Sequence, residues 1–385
     1  MVGRVSVHPF PARMAPELVS SQLKSLPREA VLLDPMMGSG SFVLEAARDG
    51  FNCIGVDSDP LALLISSAAA SVCPAGDAQA AGDAIASTPL RGIADLGVDD
   101  ETREFIDFWF DPNARDKLST LAIGIRESDP SIRDVLWCAF SRLIITKTLG
   151  ASRARDVSHS RPHVVRDKAA IDPTERFPAS VAEVLRKRAG LDPHQRAALT
   201  LLRGDARALP LANGVVGAIV TSPPYLTAID YLRGHRMSLV WMGHSIAALR
   251  DLRGENVGSE RGSARPEHLD GAFEAAVKGQ VSPRREAVIN RYLGDLDGLL
   301  RELARVTGDN GTITFVVANS THSGTAVYID DALTELGSAN GLTEQGRIQR
   351  LLPATSRYLP PPTSAGGKLD NRMKVETILT FRRSA

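Results

Sequence analysis

The feature that most constrains the fold of this chain is a glycine-rich turn near the N-terminus. The apolar segment Val31-Leu32-Leu33 leads into Asp34-Pro35-Met36-Met37-Gly38-Ser39-Gly40-Ser41, and an apolar-periodic segment continues to Arg48. A strand, a glycine-rich turn and a helix in this order form one half of a nucleotide-binding α/β fold. The two glycines of the turn allow a ligand to approach the backbone closely, and the helix N-terminus favours an anionic group.

A second predicted strand follows, and an acidic residue ends it. The run Asn52-Cys53-Ile54-Gly55-Val56 precedes Asp57 and Ser58. An acidic residue about twenty positions after such glycines, at the carboxyl end of a strand, is placed to accept hydrogen bonds from ribose hydroxyls. The pattern is not G-x-G-x-x-G, so a pyrophosphate is not the expected ligand. The glycine turn alone is equally compatible with a simple strand-to-helix connection, but together with Asp57 it favours a nucleoside ligand.

A rigid corner occurs much later in the chain. The apolar run from Val215 to Val220 leads to Ser222-Pro223-Pro224-Tyr225. Two prolines fix φ and remove two backbone donors, so the Pro223 carbonyl and the Ser222 hydroxyl can face outward as acceptors beside the aromatic ring. A planar base can then stack on the tyrosine while its amino group donates to both oxygens, which prepares the nitrogen to attack an electrophilic methyl group. A lone motif of this length also recurs by chance, with Pro-Pro simply ending a strand.

Together these motifs resemble the S-adenosylmethionine-dependent amino methyltransferases that modify the exocyclic nitrogen of cytosine or adenine in DNA. The resemblance extends to His8-Pro9-Phe10-Pro11-Ala12-Arg13-Met14, which is similar to the family's N-terminal cofactor motif. It also includes Gly204-Asp205-Ala206, which is similar to an acidic strand-end motif near the adenine ring. The matching motifs are scattered over residues 8–60 and 200–382, and their combination is far more specific than any one of them.

The resemblance implies an α/β fold with a Rossmann-like seven-stranded methyltransferase sheet, and S-adenosylmethionine as the cofactor. The implied cofactor-binding residues are Phe10, Pro11, Arg13, Asp34, Pro35, Gly38, Ser39, Gly40, Asp57, Ser58, Asp205 and Ala206. Among them, Asp57 is expected on the ribose and Asp205 near the adenine. The implied catalytic residues are Ser222, Pro223, Pro224 and Tyr225. The target base is expected to flip out of the duplex, because its amino nitrogen cannot reach the methyl donor while stacked.

Two positions depart from the family's pattern. Met36 stands where many members carry phenylalanine, which changes little. Ser222 stands where adenine-modifying members usually carry aspartate or asparagine. Because serine at this position is more typical of the cytosine-N4 enzymes, we expect N4-methylcytosine as the product, with N6-methyladenine as the alternative.

Other functions remain open on the sequence alone. The segment from Asp34 to Gly40 also resembles the tRNA guanine-N2 methyltransferases, although these usually carry a sizeable RNA-binding domain before the motif and 33 residues precede it here. From a different class, the chain can be a catalytically silent nucleic-acid-binding subunit, which the intact Ser-Pro-Pro-Tyr motif argues against. Methylation at cytosine carbon 5 is excluded by residue type, since it requires a thiolate in a Pro-Cys dipeptide and the chain has only Cys73-Pro74.

Composition agrees with a cytoplasmic enzyme. The 45 basic and 45 acidic residues cancel, so affinity for nucleic acid must come from local patches. The three cysteines form no C-x-x-C pair, and no His/Cys cluster has metal-ligand spacing, so no metal is expected. Neither a signal peptide nor a membrane-crossing run is visible. Double-stranded DNA is the expected partner, and a cognate restriction endonuclease is a further candidate.

The motif order predicts a catalytic domain split by a mainly helical insertion. We expect residues 1–74 to carry the cofactor site, 75–199 to form the insertion with a basic loop for target recognition, and 200–385 to carry the active site. A loop is expected up to about Val98, followed by helices over Glu101–Phe110, Ala114–Glu127 and Ser131–Leu149. The segments Leu342–Leu352 and Lys374–Phe381 are expected to pair as the antiparallel end of the sheet.

A basic, irregular stretch in the second half of the insertion is the candidate DNA contact. Such a charge run is usually a solvated face, but its arginines and histidines are also suited to phosphates. The predicted DNA-binding residues are Arg153, Arg155, His159 and Arg161 here, with Arg233 and Arg236 at the mouth of the active site. The glycine- and charge-rich segment Arg250–Gln280 is a second candidate, as a DNA-facing or flexible region.

Overall fold

A seven-stranded mixed sheet forms the centre of the protein. The computed structural model describes residues 6–10, 14–146, 148–155, 157, 162–226, 231–258, 264–322, 325–351 and 375–383. The strand order across the sheet is β10-β11-β7-β6-β1-β2-β5. The parallel strands are β1 Leu32–Asp34, β2 Cys53–Asp57, β5 Leu199–Arg203, β6 Val216–Thr221 and β7 Thr307–Val317. The antiparallel end consists of β10 Leu342–Leu351 and β11 Val375–Arg383.

Helices cover both faces of this sheet. Adjacent residues of β1 show this directly, because Leu32 packs into one hydrophobic cluster with Phe42 and Leu33 into another with Leu296. The helices are α1 Pro16–Lys24, α2 Ser41–Arg48, α3 Pro60–Ala70, α4 Ala75–Ala86, α5 Asp100–Trp109, α6 Pro112–Glu127, α7 Pro130–Ile144, α8 Pro173–Lys187, α9 Pro193–Ala197, α10 Tyr231–Leu239, α11 Ile246–Glu255, α12 Asp270–Ala276, α13 Pro283–Val306 and α14 Ile329–Ala339. Two short ribbons, β3 Ala154–Arg155 with β4 His163–Val164 and β8 Ser320–His322 with β9 Thr325–Val327, lie outside the main sheet.

The strand order confirms the predicted fold class, a Rossmann-like α/β sheet of the methyltransferase type. The chain runs outward from β1 through β2 to β5 and then returns to β6 on the other side of β1. This reversal makes the carboxyl ends of β1 and β6 a topological switch point, where ligands of open α/β sheets bind. The antiparallel pairing of β10 with β11 is also confirmed. Within the described chain, no helix has the length and apolarity needed to cross a membrane.

Five helices share a local sequence signal, an aspartate followed by a proline. The aspartate side chain accepts a hydrogen bond from a backbone N–H of the first turn, and the proline occupies the first helical position. Both choices suit a helix N-terminus, since the cap satisfies an otherwise unpaired donor and proline has no N–H to lose. The pairs begin at Asp59, Asp111, Asp129, Asp172 and Asp192.

Two of the expected element assignments are wrong. The predicted loop before Val98 contains α4, because its many alanines have the highest helix propensity and Gly82 lets the helix approach Val181 of α8 closely. Helix α7 ends at Ile144 rather than Leu149, because the backbone becomes extended at Ile145. The segment Arg250–Gln280, the second candidate DNA-facing or flexible region, includes the end of α11 and all of α12, and its contact with DNA stays a prediction.

The helical insertion packs on the sheet domain through a shared core. Trp241, in the turn after α10, makes edge contacts with Phe110 and Phe140 of the insertion at centroid distances of 5.1 and 6.2 Å. Leu61 and Ile65 of α3 belong to the same hydrophobic cluster. The insertion is therefore held against α3 and α10, the helices that follow β2 and β6.

Candidate active site

Hydrogen bonds connect four neighbouring strand ends at the carboxyl edge of the sheet. The Thr221 hydroxyl at the end of β6 donates to Asp34 Oδ1 at the end of β1 over 2.8 Å. The Gly38 N–H donates to Asp57 Oδ2 at the end of β2 over 2.8 Å. The Gly204 N–H, just after β5, donates to the Asp57 carbonyl over 3.0 Å. The structure thus brings the predicted cofactor motifs and the start of the Ser-Pro-Pro-Tyr corner to one edge.

The glycine turn requires glycine at both of its positive-φ positions. Gly38 has φ +52° and Gly40 φ +74°, a region that residues with a side chain rarely adopt. A Cβ on Gly40 would lie 2.8 Å from the Ser66 hydroxyl, which donates to the Gly38 carbonyl over 2.9 Å. Pro35 and Ser39 are buried within the same turn. The turn is therefore fixed from α3.

Phe10 covers the turn from the other side. A Cβ on Gly38 would lie 3.1 Å from the Phe10 ring. The ring also stacks on Tyr231 at 5.5 Å with an interplanar angle of 8°, and packs against His235 at 5.5 Å. Phe10 thus lies against the glycine turn, and its contact with a cofactor stays a prediction, while Pro11 and Arg13, from the same motif, lie outside the described residues.

Two carboxyl groups at the edge have raised pKa values. Burial raises the pKa of Asp34 to about 7, against the opposing hydrogen bonds from Thr221 and Met36. Burial and the neighbouring Asp59 raise the pKa of Asp57 to about 7. Each Asp57 oxygen already accepts one backbone N–H, from Gly38 over 2.8 Å and from Asp59 over 2.9 Å. Since a carboxylate oxygen has two lone pairs, each can accept one hydrogen bond more.

A buried aspartate–histidine pair, which the sequence analysis did not identify, supports Asp57. Asp59 donates its backbone N–H to Asp57, and its carboxylate contacts His235 Nδ1 at 2.5 Å. Both side chains are buried. His235 lies on α10, far along the chain, so no local pattern indicates the pair. The Asp59-Pro60 cap is recognisable from sequence, but it predicts only the start of a helix.

Asp205 lies at the edge, but its carboxylate is engaged by the protein. Arg207 contacts it through Nη2 at 2.7 Å and also contacts Asp295 of α13 at 2.5 Å. Partial burial acts to raise the pKa of Asp205, but the hydrogen bonds and charge of Arg207 outweigh it and hold that pKa below its usual range. Ala206 is buried, and the Ser58 hydroxyl donates to Asn256 Oδ1 over 3.2 Å.

The Ser-Pro-Pro-Tyr corner is held at two points by residues that no sequence motif indicated. The Tyr292 hydroxyl of α13 donates to the Pro224 carbonyl over 2.8 Å. The Tyr225 hydroxyl contacts Glu376 Oε1 of β11 at 3.3 Å, and Glu376 pairs with Arg350 at 3.0 Å. These bonds involve Pro224 and Tyr225, so they do not use the acceptors expected to meet a base, the Ser222 hydroxyl and the Pro223 carbonyl.

The predicted DNA-binding residues are distributed over two places. Arg153 donates to the backbone carbonyls of Asp167 and Phe108 over 3.1 and 3.3 Å, so it also anchors the insertion. Arg155 is exposed on β3. Arg236, with Arg233 on α10, lies with its guanidinium carbon 5.2 Å from the Phe105 ring centroid. His159 and Arg161 lie outside the described residues. A DNA contact by any of the six stays a prediction.

Comparison with known proteins finds methyltransferases. No family model matches the chain. It is 23% identical to the type II methyltransferase M.MvaI of Kocuria varians, over 97% of this chain and 90% of that protein. Similar solved structures include a SAM-dependent methyltransferase of Methanosarcina mazei, with 8% identity over 94% of this chain and 95% of that chain and a TM-score of 0.34.

A second similar solved structure has a bound ligand. It is a protein of Thermus thermophilus described as a candidate DNA modification methylase, solved in complex with S-adenosyl-L-methionine. It is 18% identical over 47% of this chain and 52% of that chain, with a TM-score of 0.26. The fold class of the present chain rests on its own strand order.

Proposed function

We propose that this protein transfers a methyl group from S-adenosylmethionine to the exocyclic amino nitrogen of a base in double-stranded DNA, and that the base is cytosine, methylated at N4. One observation carries the proposal. The glycine turn with Asp57 and the Ser-Pro-Pro-Tyr corner emerge from neighbouring strands at a single sheet edge, and the 2.8 Å bond between Thr221 and Asp34 joins those strands. The similarity to a type II methyltransferase over nearly the whole chain supports it.

The proposed cofactor site consists of the positive-φ glycine turn and one acidic residue, Asp57. The positive-φ turn at Gly38 and Gly40 leaves room for close approach to the backbone, and the N-terminus of α2 follows it. Asp57 has an acceptor position left on each oxygen for the ribose hydroxyls. Phe10 lies against the turn and is placed to cover the bound cofactor. S-adenosylmethionine supplies the electrophilic methyl group.

The engagement of Asp205 changes how it is expected to contribute. Its carboxylate is bonded to Arg207, and its side chain remains 43% exposed. We propose that Asp205 keeps its place beside the adenine and accepts a hydrogen bond there while Arg207 holds it in position. This role requires the ionised carboxylate of Asp205, and Arg207 favours that form.

The corner supplies orientation rather than a covalent nucleophile. The flipped base stacks on Tyr225, while Ser222 and the Pro223 carbonyl accept hydrogen bonds from its amino group. The nitrogen forms a bond to the methyl carbon, the carbon–sulfur bond breaks, and one amino proton leaves to solvent. Because sulfonium is already a good electrophile, positioning supplies most of the rate advantage. A serine hydroxyl in place of a carboxylate is the residue choice that favours cytosine N4.

Methyl transfer from labelled cofactor tests the substrate class. The protein is incubated with methyl-labelled S-adenosylmethionine and, in parallel, with duplex DNA or tRNA. We expect label in DNA, and its loss with Tyr225→Ala despite retained cofactor binding. Label in tRNA alone would assign the protein to the RNA-modifying alternative. Transfer to neither substrate by a folded, cofactor-binding protein would favour the silent binding subunit.

A further inference from the structure

The short ribbon of the insertion presents a mixed apolar and basic face to solvent. Ala154 pairs with Val164 and Arg155 with His163, and Leu149 forms a further antiparallel bridge with Arg155. Directly paired residues share a face, and successive residues alternate between faces. Leu149, Arg155 and His163 therefore lie on one face, together with the residue two positions after His163, which is Val165.

This face is exposed, while the opposite face has one anchored residue, Ala154, and one exposed residue, Val164 at 42%. Leu149 is 47% and Val165 45% exposed, and Arg155 and His163 are also exposed. Ala154, on the other face, is 1% exposed and belongs to the core cluster of the insertion. Large apolar side chains left in solvent beside basic ones are typical of a surface that meets a partner.

The ribbon is held rigidly to the helices beneath it. The Arg153 N–H donates to the Trp109 carbonyl over 2.8 Å, and the Ala151 N–H donates to the Leu143 carbonyl over 2.8 Å. Arg166 also donates to the Ala154 carbonyl over 3.3 Å. A surface fixed in this way loses little conformational freedom when a partner binds.

Contacts of α7 place the ribbon next to the cofactor site. Arg142 donates to the Val7 carbonyl over 2.7 Å, and the His8 ring contacts the Ser141 hydroxyl at 2.9 Å. Two residues after His8 comes Phe10, which lies against the glycine turn. With a rise of about 1.5 Å per residue, these contacts lie within one turn of the C-terminal end of α7, from which the chain enters the ribbon.

We infer that this face, defined by Leu149, Arg155, His163 and Val165, contacts the target duplex in its major groove and contributes to sequence recognition. The inference rests on the proposed function. A two-stranded ribbon has the dimensions that the major groove admits. Residues 151–168 hold five arginine or lysine residues and two aspartates, which matches a polyanion. Arg155 and His163 suit phosphates or base acceptors, and Leu149 and Val165 suit apolar base edges such as the thymine methyl.

The test compares two ribbon variants with two matched controls. The double variant Leu149→Ala/Val165→Ala removes the apolar pair, and Arg155→Ala removes the charge. The controls, Val215→Ala and Arg382→Ala, alter exposed residues at the opposite edge of the sheet. The sequence methylated by the wild type is first identified by sequencing, and binding is then measured on duplexes with that sequence or a scrambled one.

We expect the apolar double variant to lower the affinity ratio between the two duplexes by about fivefold or more. Arg155→Ala should reduce the slope of log affinity against log salt by about one. The controls and the affinity for S-adenosylmethionine should not change. If the wild type methylates DNA and both ribbon variants keep the wild-type affinity ratio between the duplexes and the wild-type salt slope, the ribbon inference is overturned. The proposed function then stands. A wild type that transfers no methyl group to DNA overturns the proposed function and the ribbon inference with it.

Discussion

The Gly38 N–H donates a 2.8 Å hydrogen bond to Oδ2 of Asp57. This bond joins the turn after β1 to the end of β2, so the backbone that is expected to surround the cofactor and the acid expected to bind its ribose are fixed by each other. The Asp59–His235 pair extends the connection to α10, which follows the Ser-Pro-Pro-Tyr corner. The glycine turn, Asp57 and α10 are therefore joined by consecutive hydrogen bonds.

Replacing Asp57 tests the cofactor site. We expect Asp57→Ala to weaken S-adenosylmethionine binding by about 1.5 to 3 kcal/mol, the range for losing a charge-assisted hydrogen bond. Asp49→Ala is a matched control, since Asp49 is exposed at the far end of α2. Isothermal titration calorimetry measures both. Unchanged affinity in folded Asp57→Ala would remove this residue from the site.

The raised pKa of Asp57, about 7, predicts a pH dependence. A carboxylate accepts ribose hydroxyls best when ionised, so cofactor affinity should rise as the pH increases from 6 to 8 and level off above about 7. Below that pKa, the affinity for S-adenosylmethionine changes by up to about tenfold per pH unit. Calorimetry at several pH values should show the rise in the wild type and not in Asp57→Asn. Equal pH profiles for the two proteins would contradict the assignment.

For the ligand-free protein, the same pKa shift predicts the opposite trend, a folding stability that falls as the pH rises. The folded state binds the Asp57 proton more tightly than the unfolded state, so the group's contribution to stability is present at low pH and is lost as the pH rises towards about 7. Urea denaturation of the wild type and of Asp57→Asn should show the variant gaining relative stability between pH 5 and 8. A constant difference between them would show that the pKa of Asp57 is not raised.

Tyr292→Phe tests whether the corner is held from α13. The substitution removes only the hydroxyl that donates to the Pro224 carbonyl, so we expect a lower kcat with unchanged cofactor affinity. A misoriented base is costly for a reaction that depends on positioning. Tyr328→Phe serves as a control hydroxyl deletion outside the corner. If single-turnover methylation by Tyr292→Phe matches the wild type, the bond has no role in positioning.

The buried pair of Asp59 and His235 is expected to contribute to stability. His235→Ala leaves the Asp59 carboxylate buried without its partner, and it also removes the ring that packs against Phe10. We expect the free energy of unfolding to fall by roughly 3 to 5 kcal/mol. His194→Ala, at an exposed position of α9, should change it little. Comparable urea midpoints for the two variants would show that the pair contributes nothing measurable.

The meeting of the glycine turn with Asp57 was predictable from sequence because its signals are local. A glycine turn after an apolar strand and an acid ending the next strand depend on neighbours in the chain, and the structure places Gly38 and Asp57 in contact. The antiparallel pairing of β10 with β11 was also predicted, from two segments near the C-terminus that flank a stretch of sequence rich in proline and glycine. Local sequence patterns are enough to predict such a site when the topology of the fold brings the ends of the strands to one edge of the sheet.

The supports of the site were not predictable because they are tertiary. Tyr292, Glu376 and His235 lie 68, 151 and 176 residues from their partners in the chain. On α13, Tyr292 occupies a position that hydrophobic periodicity assigns to the core, and only the fold shows that its hydroxyl reaches Pro224. The helix α4 was missed for a different reason, because a stretch rich in alanine and glycine has no clear apolar periodicity.

Mass spectrometry of nucleosides from DNA treated with the wild-type protein and S-adenosylmethionine identifies the methylated base directly. Because a serine, Ser222, precedes the Pro-Pro-Tyr of the corner, we expect N4-methylcytosine from the wild type and no product from Tyr225→Ala. N6-methyladenine without N4-methylcytosine would contradict the assignment of the base and leave the site in place. Unmodified DNA after treatment with folded, cofactor-binding protein would contradict the proposed function itself.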